Sequence, residues 1–503
     1  MPGHRVGKIK SRVIVIGAGI GGLTAGALLA RRGYSVLILD QALVPGGCAS
    51  TFKRKGFTFD VGATQVAGLE TGGIHHRIFS ELDIDLPPAR PCDPACAVFL
   101  PGENTPINVW RDRQKWQAER QRQFPGSEPF WELIAALFKA SWKFQGRDPV
   151  LPPRNIWDLL QLTKAVRPGT LITVPYTLFT VGDALRAYKL ADDHRLRTFL
   201  DLQLKLYSQV DAEETALLYA ATALSVSQEP QGLFHLEGSM QVLSDRLVSA
   251  LERDNGQLLM RHTVEQIKVA QGKAKAVVIR NQKTGETWTE PADHIIANVT
   301  VQNLVKLLSD KVPTGYKKRV EKLPPASGAF VVYLGVDASA IPFDCPPHLQ
   351  FMYDANGPIG ENNSLFVSVS HPSDGRAPTG QATIIASSFV DPEPWWKTDN
   401  YEGLKQKFTE DAIARLAQYF YLKSETIIHI EAATPRTFAY YTARDRGIVG
   451  GIGQRIPTFG PFGFANRTPI NHLWLVGDST HPGEGTAGVS YSALTVVRQI
   501  DEH

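Results

Sequence analysis

The sequence predicts an α/β fold in which a parallel-sheet domain is interleaved along the chain with a second domain of antiparallel sheet and helices. Three observations carry that prediction. The chain opens on strand, glycine-rich turn, helix and strand over residues 12–40; a strand–turn–helix pattern returns at 233–251; and an apolar run, HLWLVGD, stands near the far end at 472–478. Between them lie a long, mostly helical middle and four alternating apolar runs. At 503 residues the chain exceeds what one hydrophobic core fills, so more than one domain is expected.

With 43% apolar and 20% charged residues the composition is globular, and 53 Lys and Arg against 50 Asp and Glu give no reason to expect a nucleic-acid partner. Four cysteines, Cys48, Cys92, Cys96 and Cys345, make no disulfide framework. Cys92 and Cys96 lack the second ligand pair of a zinc site, so no metal is expected and a reducing compartment is the default. The basic HRVGKIKSR followed by 18 uncharged residues, 13–30, imitates a signal peptide. Its β-branched run 13–16 is broken by glycines at 17, 19, 21 and 22 before a helical pattern begins, so the grammar is strand, turn, helix. No export signal is expected, and the expected location is the cytoplasmic side.

Each element has its reason. Alternating β-branched residues give a strand at 12–16, helical spacing gives a helix at about 21–32 stopped by Gly33, and strand 35–39 ends at Asp40. After VPGGCAS and GFTFDVGATQ, the polar stretch 110–126 leads into helices to about 226. Within them FWELIAALFKASWKF sets Phe130, Leu133, Ile134, Leu137, Phe138 and Trp142 on one face. HTVEQIKV and AKAVVIRN read as a hairpin and ADHIIANV as a strand. GAFVVYLGV, HLQFMYD, SLFVSVSH and ATIIASSFV read as an antiparallel sheet, with a helix at 401–421 beside it. One domain is therefore expected from residues 1–110, 231–300 and 446–503, and a substrate domain from 111–230 and 301–445, with a helical part at 126–190.

In GAGIGG, Gly17 permits the tight turn after the strand, Gly19 lets backbone approach a pyrophosphate, and Gly22 lets helix and strand pack closely. A bare GxGxxG is common. This one follows a strand, opens a helix and is succeeded by Asp40, 18 residues beyond Gly22, where a ribose-hydroxyl acceptor belongs. The unit is of Rossmann type, and the acid disfavours a ribose 2′-phosphate. Taken alone, Asp478 in VGD reads as a helix cap or Asx-turn.

The second diglycine, Gly46 and Gly47, is not required by an NAD site; it resembles the glycine pair of flavoproteins of the two-dinucleotide-binding-domain type. That resemblance implies FAD and assigns further residues. LLMRHTVEQIKV is similar to the strand whose backbone meets the adenine, with Val264 the aligned residue, and ADHIIANVT to a recurrent strand of the superfamily. Gly477 and Asp478 match the Gly-Asp whose carboxylate accepts from a ribityl hydroxyl. Gly488 and Val489 match the start of the helix pointing at the flavin's pyrimidine end. Many flavin amine oxidases carry an Arg after the diglycine; Cys48 stands there instead, read as a small residue in a tight turn.

HLEGSMQVLSDRL, TPRTFAYYTARDRGIVGG and VGDSTHPGEGTAGVSYSAL, with both N-terminal motifs, resemble the carotenoid desaturase and isomerase family over about residues 10–500. The resemblance implies a long apolar carotenoid substrate, in keeping with a middle rich in Leu, Phe, Trp and Tyr. The C-terminal stretch is most similar to the cyanobacterial C-3′,4′ desaturase branch, which acts on the ψ-end of monocyclic carotenoids toward myxoxanthophyll. His481 and Glu484 stand where it departs from the GDSxFPGQG form of the isomerases. The implied chemistry is hydride transfer to flavin N5 with proton loss from the neighbouring carbon, and a quinone or oxygen as electron acceptor. Glu484, His481 and Arg436 are the candidates for assisting it, each also readable as structural. A prolycopene-type cis–trans isomerase, a flavin amine oxidase and a non-enzymatic carotenoid carrier are the alternatives. Because carotenoids reside in bilayers, a peripheral, monotopic attachment is expected through the Phe130 to Trp142 face and residues 156–185, flanked by Lys139, Lys143, Arg154, Lys164 and Arg167. Ordinary helix core is the other reading of that stripe.

Overall fold

The computed structural model describes residues 10–502. Strand β1 (Lys10–Ile16), helix α1 (Ile20–Arg31) and strand β2 (Tyr34–Asp40) form the opening unit. β1 is the centre of a five-stranded parallel sheet in the order Gln257–Met260, β2, β1, His294–Ala297, Leu473–Leu475. Both faces are covered, which is what a β-branched run such as Val13 to Ile16 requires of a parallel strand. Val13 and Val15 pack against α1, helix Gln241–Arg253 and the C-terminal helix Thr486–Asp501; Ile14 and Ile16 pack against the hairpin His262–Ala270 and Lys273–Asn281. Residues 13–30 are thus strand, turn and helix of this core, and no helix of the described residues is long and apolar enough to cross a membrane.

The four alternating runs lie together in a seven-stranded sheet, in the order Ile427–Ala433, Gly328–Asp337, Gln381–Val390, Ser364–Val369, His348–Met352, Cys96–Phe99, Ile107–Val109. Two departures from expectation follow. Cys96–Phe99 pairs with His348–Met352 in parallel, so the sheet is mixed. Cys96–Phe99 and Ile107–Val109 also lie before the boundary drawn at 110, yet belong to this second sheet; strands of four and three residues carry no mark of which sheet they join. The boundary drawn at 300 shifts the other way. Helices Val301–Leu308 and Thr314–Glu321 pack on the parallel-sheet core through Val301, Leu304, Leu308 and Val320.

Strand Gly328–Asp337 does not alternate between buried and exposed, because both of its faces are covered. Phe330, Val332, Leu334 and Val336 pack on Trp395, Leu416 and Phe420, the latter two at and beyond the end of helix Tyr401–Leu416. Ala329, Val331 and Tyr333 face Phe57 and Phe59 on the opposite side. A buried ionic cluster ties the sheets together: Arg376 pairs with Asp60 and donates to the Leu236 carbonyl at 3.0 Å, while Asp374 accepts from His235 Nε2 at 2.8 Å.

Helix Glu128–Gln145 overturns one expectation. Phe130, Ile134, Leu137 and Phe138 are buried among the neighbouring helices, so the stripe read as membrane-facing is helix core. The following segment differs. Ile156 is 78% exposed and Leu178 64%, and Leu159, Leu160, Leu171, Ile172 and Val174 are exposed beside them. Fully buried Asp158 pins this segment down, accepting from Arg467 Nε, Gln499 Nε2 and the Arg154 N–H, each at 3.0 Å.

Candidate functional site

A cavity of about 480 Å³ opens at the carboxyl ends of β1, β2, His294–Ala297 and Leu473–Leu475, where ligands of open α/β sheets bind. The turn after β1 is held open for it. Gly17 has φ +99, and a Cβ there would sit 2.7 Å from the Asn298 carbonyl; a Cβ on Gly22 would run into the Gly17 carbonyl. Gly19 stands at the N-cap of α1 and Gly485 at that of the C-terminal helix, and neither helix has a side-chain cap or an acid in its first turn. Both first turns line the cavity, which receives two positive helix ends with free N–H groups. Gly46, at φ +116, donates its N–H to Ala18 at 2.8 Å and brings the second diglycine against the first turn.

Of the residues expected to hold a cofactor, Gly17, Gly19, Asp40, Gly46, Gly47, Val264, Gly477, Asp478 and Val489 line the cavity. Gly22 and Gly488 do not; they allow close packing, a Cβ on Gly488 lying 2.6 Å from the Gly483 carbonyl. Asp40 takes the Ala18 and Ala42 N–H groups at 2.6 and 2.7 Å, one on each oxygen. Burial raises its pKa more than these two bonds lower it. Each oxygen keeps a lone pair for a hydroxyl donor.

The three candidates for assisting catalysis separate. Glu484 lines the cavity. His481 does not: its Nε2 meets Gln145 Oε1 at 3.0 Å, its ring packs against Phe459 and Tyr491, and burial lowers its pKa to about 4. Arg436 points away as well, donating to the Trp395 carbonyl at 2.7 Å with its guanidinium 4.5 Å over Tyr401. Helical geometry explains the correction, since helix Pro435–Thr442 turns Phe438, Tyr441 and Thr442 to the cavity and Arg436 to the other side.

Sequence reasoning missed three residues. Arg444, half-buried, pairs with Asp478 at 2.6 Å and donates to the Ile448 carbonyl at 2.6 Å, fixing the carboxylate on the cavity wall. Burial lowers the Arg444 pKa, but Asp478, together with Cys48 and Glu484, raises it overall. Asn298 donates to the Gly17 carbonyl at 3.3 Å. Gln209 donates to Glu484 Oε2 at 2.9 Å. Arg444 and Asn298 lie inside motifs that suggested only strands or family likeness; Gln209 lies in no motif.

The cavity fits FAD on its own evidence. Glycines leave room for a pyrophosphate, two uncapped helix ends suit its charge and an electron-rich ring, and Asp40 stands at the end of β2 for a ribose. A family model described as an NAD(P)-binding Rossmann-like domain matches residues 15–82. Over its length the chain is similar to prolycopene isomerase 1, chloroplastic, of an Oncidium hybrid cultivar, at 28% identity over 99% of this chain and 86% of that protein. It is likewise similar to the zeta-carotene-forming phytoene desaturase of Myxococcus xanthus, at 25% identity over 97% of this chain and 93% of that protein. Cyclohexylamine oxidase from Brevibacterium oxydans shares the fold, with a TM-score of 0.62 at 17% identity over 98% of this chain and all of that one. End-to-end likeness to both a desaturase and an isomerase, on a fold with this cavity, leads to one conclusion: the chain is an FAD-dependent oxidoreductase similar over its whole length to the carotenoid desaturases and isomerases.

Proposed function

We propose that the protein is a carotenoid C-3′,4′ desaturase, forming a double bond at the ψ-end of a monocyclic carotenoid in myxoxanthophyll-type biosynthesis. The observation that carries this reading is the wall opposite the glycine turn. Strand register sets Ala329 opposite Phe389, and Val331 and Phe366 on either side of Ser387, while helix His194–Ser208 adds Leu206 and Tyr207. None of these side chains is ionised at neutral pH. Such a wall suits a polyene and offers a small amine no counter-ion, which speaks against an amine oxidase.

FAD, when bound, supplies the two-electron acceptor. Gly17, Gly19, Asp40, Gly46, Gly47, Val264, Gly477, Asp478 and Val489 would hold it, with Arg444 keeping the Asp478 carboxylate in place. The apolar wall excludes water from the reacting carbons. Glu484 keeps its own proton, because burial and the Asp478 charge push its pKa far up, so a strong carboxylate base is absent from this reading. Proton loss next to a cation delocalised over a polyene needs little basic help. A quinone or oxygen then takes the electrons.

A second reading, a prolycopene-type cis–trans isomerase, is favoured by the 28% identity to such isomerases. FAD-loaded protein is incubated with a monocyclic carotenoid saturated at C-3′,4′ and, separately, with poly-cis lycopene. A red-shifted product two hydrogens lighter from the first supports desaturation. Isomerised lycopene of unchanged mass, with the first carotenoid untouched, overturns it.

We also infer peripheral attachment to a bilayer through the exposed apolar segment 156–179, with the exposed Arg154, Lys164 and Arg167 beside it for anionic headgroups. Flotation with anionic liposomes is the expected result, lost in a Leu171→Glu, Leu178→Glu double variant. Wild type that stays with the unbound fraction refutes the attachment.

A further inference from the structure

We propose that Gln209 and Glu484 form a subsite for an alcohol hydroxyl carried by an otherwise hydrocarbon substrate. The inference rests on the reading of the cavity as a carotenoid site and deepens it. Gln209 closes helix His194–Ser208 at φ +67, a left-handed backbone that glycine would adopt more readily, so a side chain is kept there at a conformational cost. That side chain is 5% exposed and lines the cavity, where Nε2 donates to Glu484 Oε2 at 2.9 Å. Gly450, at φ +70, lies across the pair; a Cβ there would run into Gln209 Nε2 and Glu484 Oε2.

An amide and a carboxyl facing each other can close a ring of two hydrogen bonds. Here only one forms. Gln209 Oε1 and Glu484 Oε1 are buried and, among the described residues, have no hydrogen-bond partner. The neighbouring donors bond elsewhere and not to these oxygens: Lys205 Nζ to the Gln209 carbonyl at 2.9 Å and to Ser327 Oγ at 3.0 Å, and the Tyr219 hydroxyl to the Tyr207 carbonyl.

The chemistry of the two free oxygens selects the ligand. A protonated Glu484 offers an O–H, and the amide oxygen of Gln209 accepts one. A single alcohol hydroxyl can accept the first and donate to the second. A hydrocarbon leaves both groups buried and unpaired, which is how a polar subsite rejects an analogue lacking the hydroxyl. An ammonium group would meet a neutral carboxyl and gain no counter-ion from it. A trapped water is the competing occupant, and it would give no preference between substrates.

The test compares a monocyclic carotenoid bearing an alcohol near its saturated end with its deoxy counterpart. Equilibrium binding to FAD-loaded wild type, Gln209→Leu and Glu484→Leu is read from the polyene spectrum, with FAD content measured alongside. Wild type is expected to bind the alcohol about tenfold or more tightly, the ratio falling below about threefold in both variants. Equal affinities in wild type overturn the subsite and leave a water there. A wild-type ratio that survives in both variants overturns it too, placing recognition elsewhere. A wild-type ratio that vanishes in the variants, with neither carotenoid converted, sinks the desaturase reading while the subsite stands. The wild-type comparison needs no variant to fold.

Discussion

The two walls of the cavity are built on opposite principles. One presents backbone: Gly17, Gly19, Gly46 and Gly47, with two uncapped helix ends, gathered from short contiguous motifs. The other presents side chains: Tyr207, Gln209, Val331, Phe366 and Phe389, brought together by a helix end and by register across the seven-stranded sheet. Backbone recognition needs particular residues at particular dihedral angles. Enclosure of a hydrocarbon needs only apolar volume in the right place, which many residue choices satisfy. Cofactor identity is therefore written in a few positions, and substrate identity is distributed over many.

The largest effect is expected where the two halves are tied together. Arg376→Met leaves Asp60 and Asp374 buried without their cation, at a cost of about 3–5 kcal/mol, and should lower both the unfolding midpoint and FAD content. An unchanged urea midpoint would show that the tie matters little. Gly22→Ala comes next: its Cβ meets the Gly17 carbonyl, α1 must shift, and about 1–3 kcal/mol and most of the bound FAD are lost. Phe366→Leu on the facing wall should cost about 1 kcal/mol and weaken carotenoid binding with FAD retained. Equal FAD loss in both variants, read from flavin absorption of the purified proteins, would erase the distinction between the walls.

The smallest effect is a slope. Glu484 titrates above its ordinary value of 4.5 when folded, so the folded chain keeps a proton that the unfolded chain releases. Wild type therefore loses stability as pH rises from 4.5 through the raised value, and Glu484→Gln lacks that loss. The difference in melting temperature between the two should grow with pH in the variant's favour. A difference that stays flat contradicts a protonated Glu484.

How much was legible in the sequence follows the same division. β1, α1, β2, the hairpin after 262 and the four runs of the second sheet carried clear periodicity, and nine of the eleven expected cofactor residues face the cavity. Gly22 and Gly488 are equally needed there as packing glycines. What escaped was long-range. Cys96–Phe99 reads as an apolar strand, but nothing in four residues says that its partner is His348–Met352. In helix Pro435–Thr442 the motif was visible and its facing was not, so Arg436 was picked where Phe438 and Tyr441 meet the cavity. Periodicity likewise set an apolar stripe on Glu128–Gln145 without saying what covers it. Neighbouring helices do, and the exposed apolar surface lies at 156–179 instead.

The central claim is a net oxidation of a carotenoid in this cavity, and anaerobic mixing of FAD-loaded protein with the monocyclic carotenoid tests it most directly. Flavin and polyene absorption are followed together. The account predicts that the flavin bleaches in step with a red shift of the polyene, one flavin reduced for each double bond formed. A polyene that isomerises while the flavin's oxidation state ends where it began would contradict it.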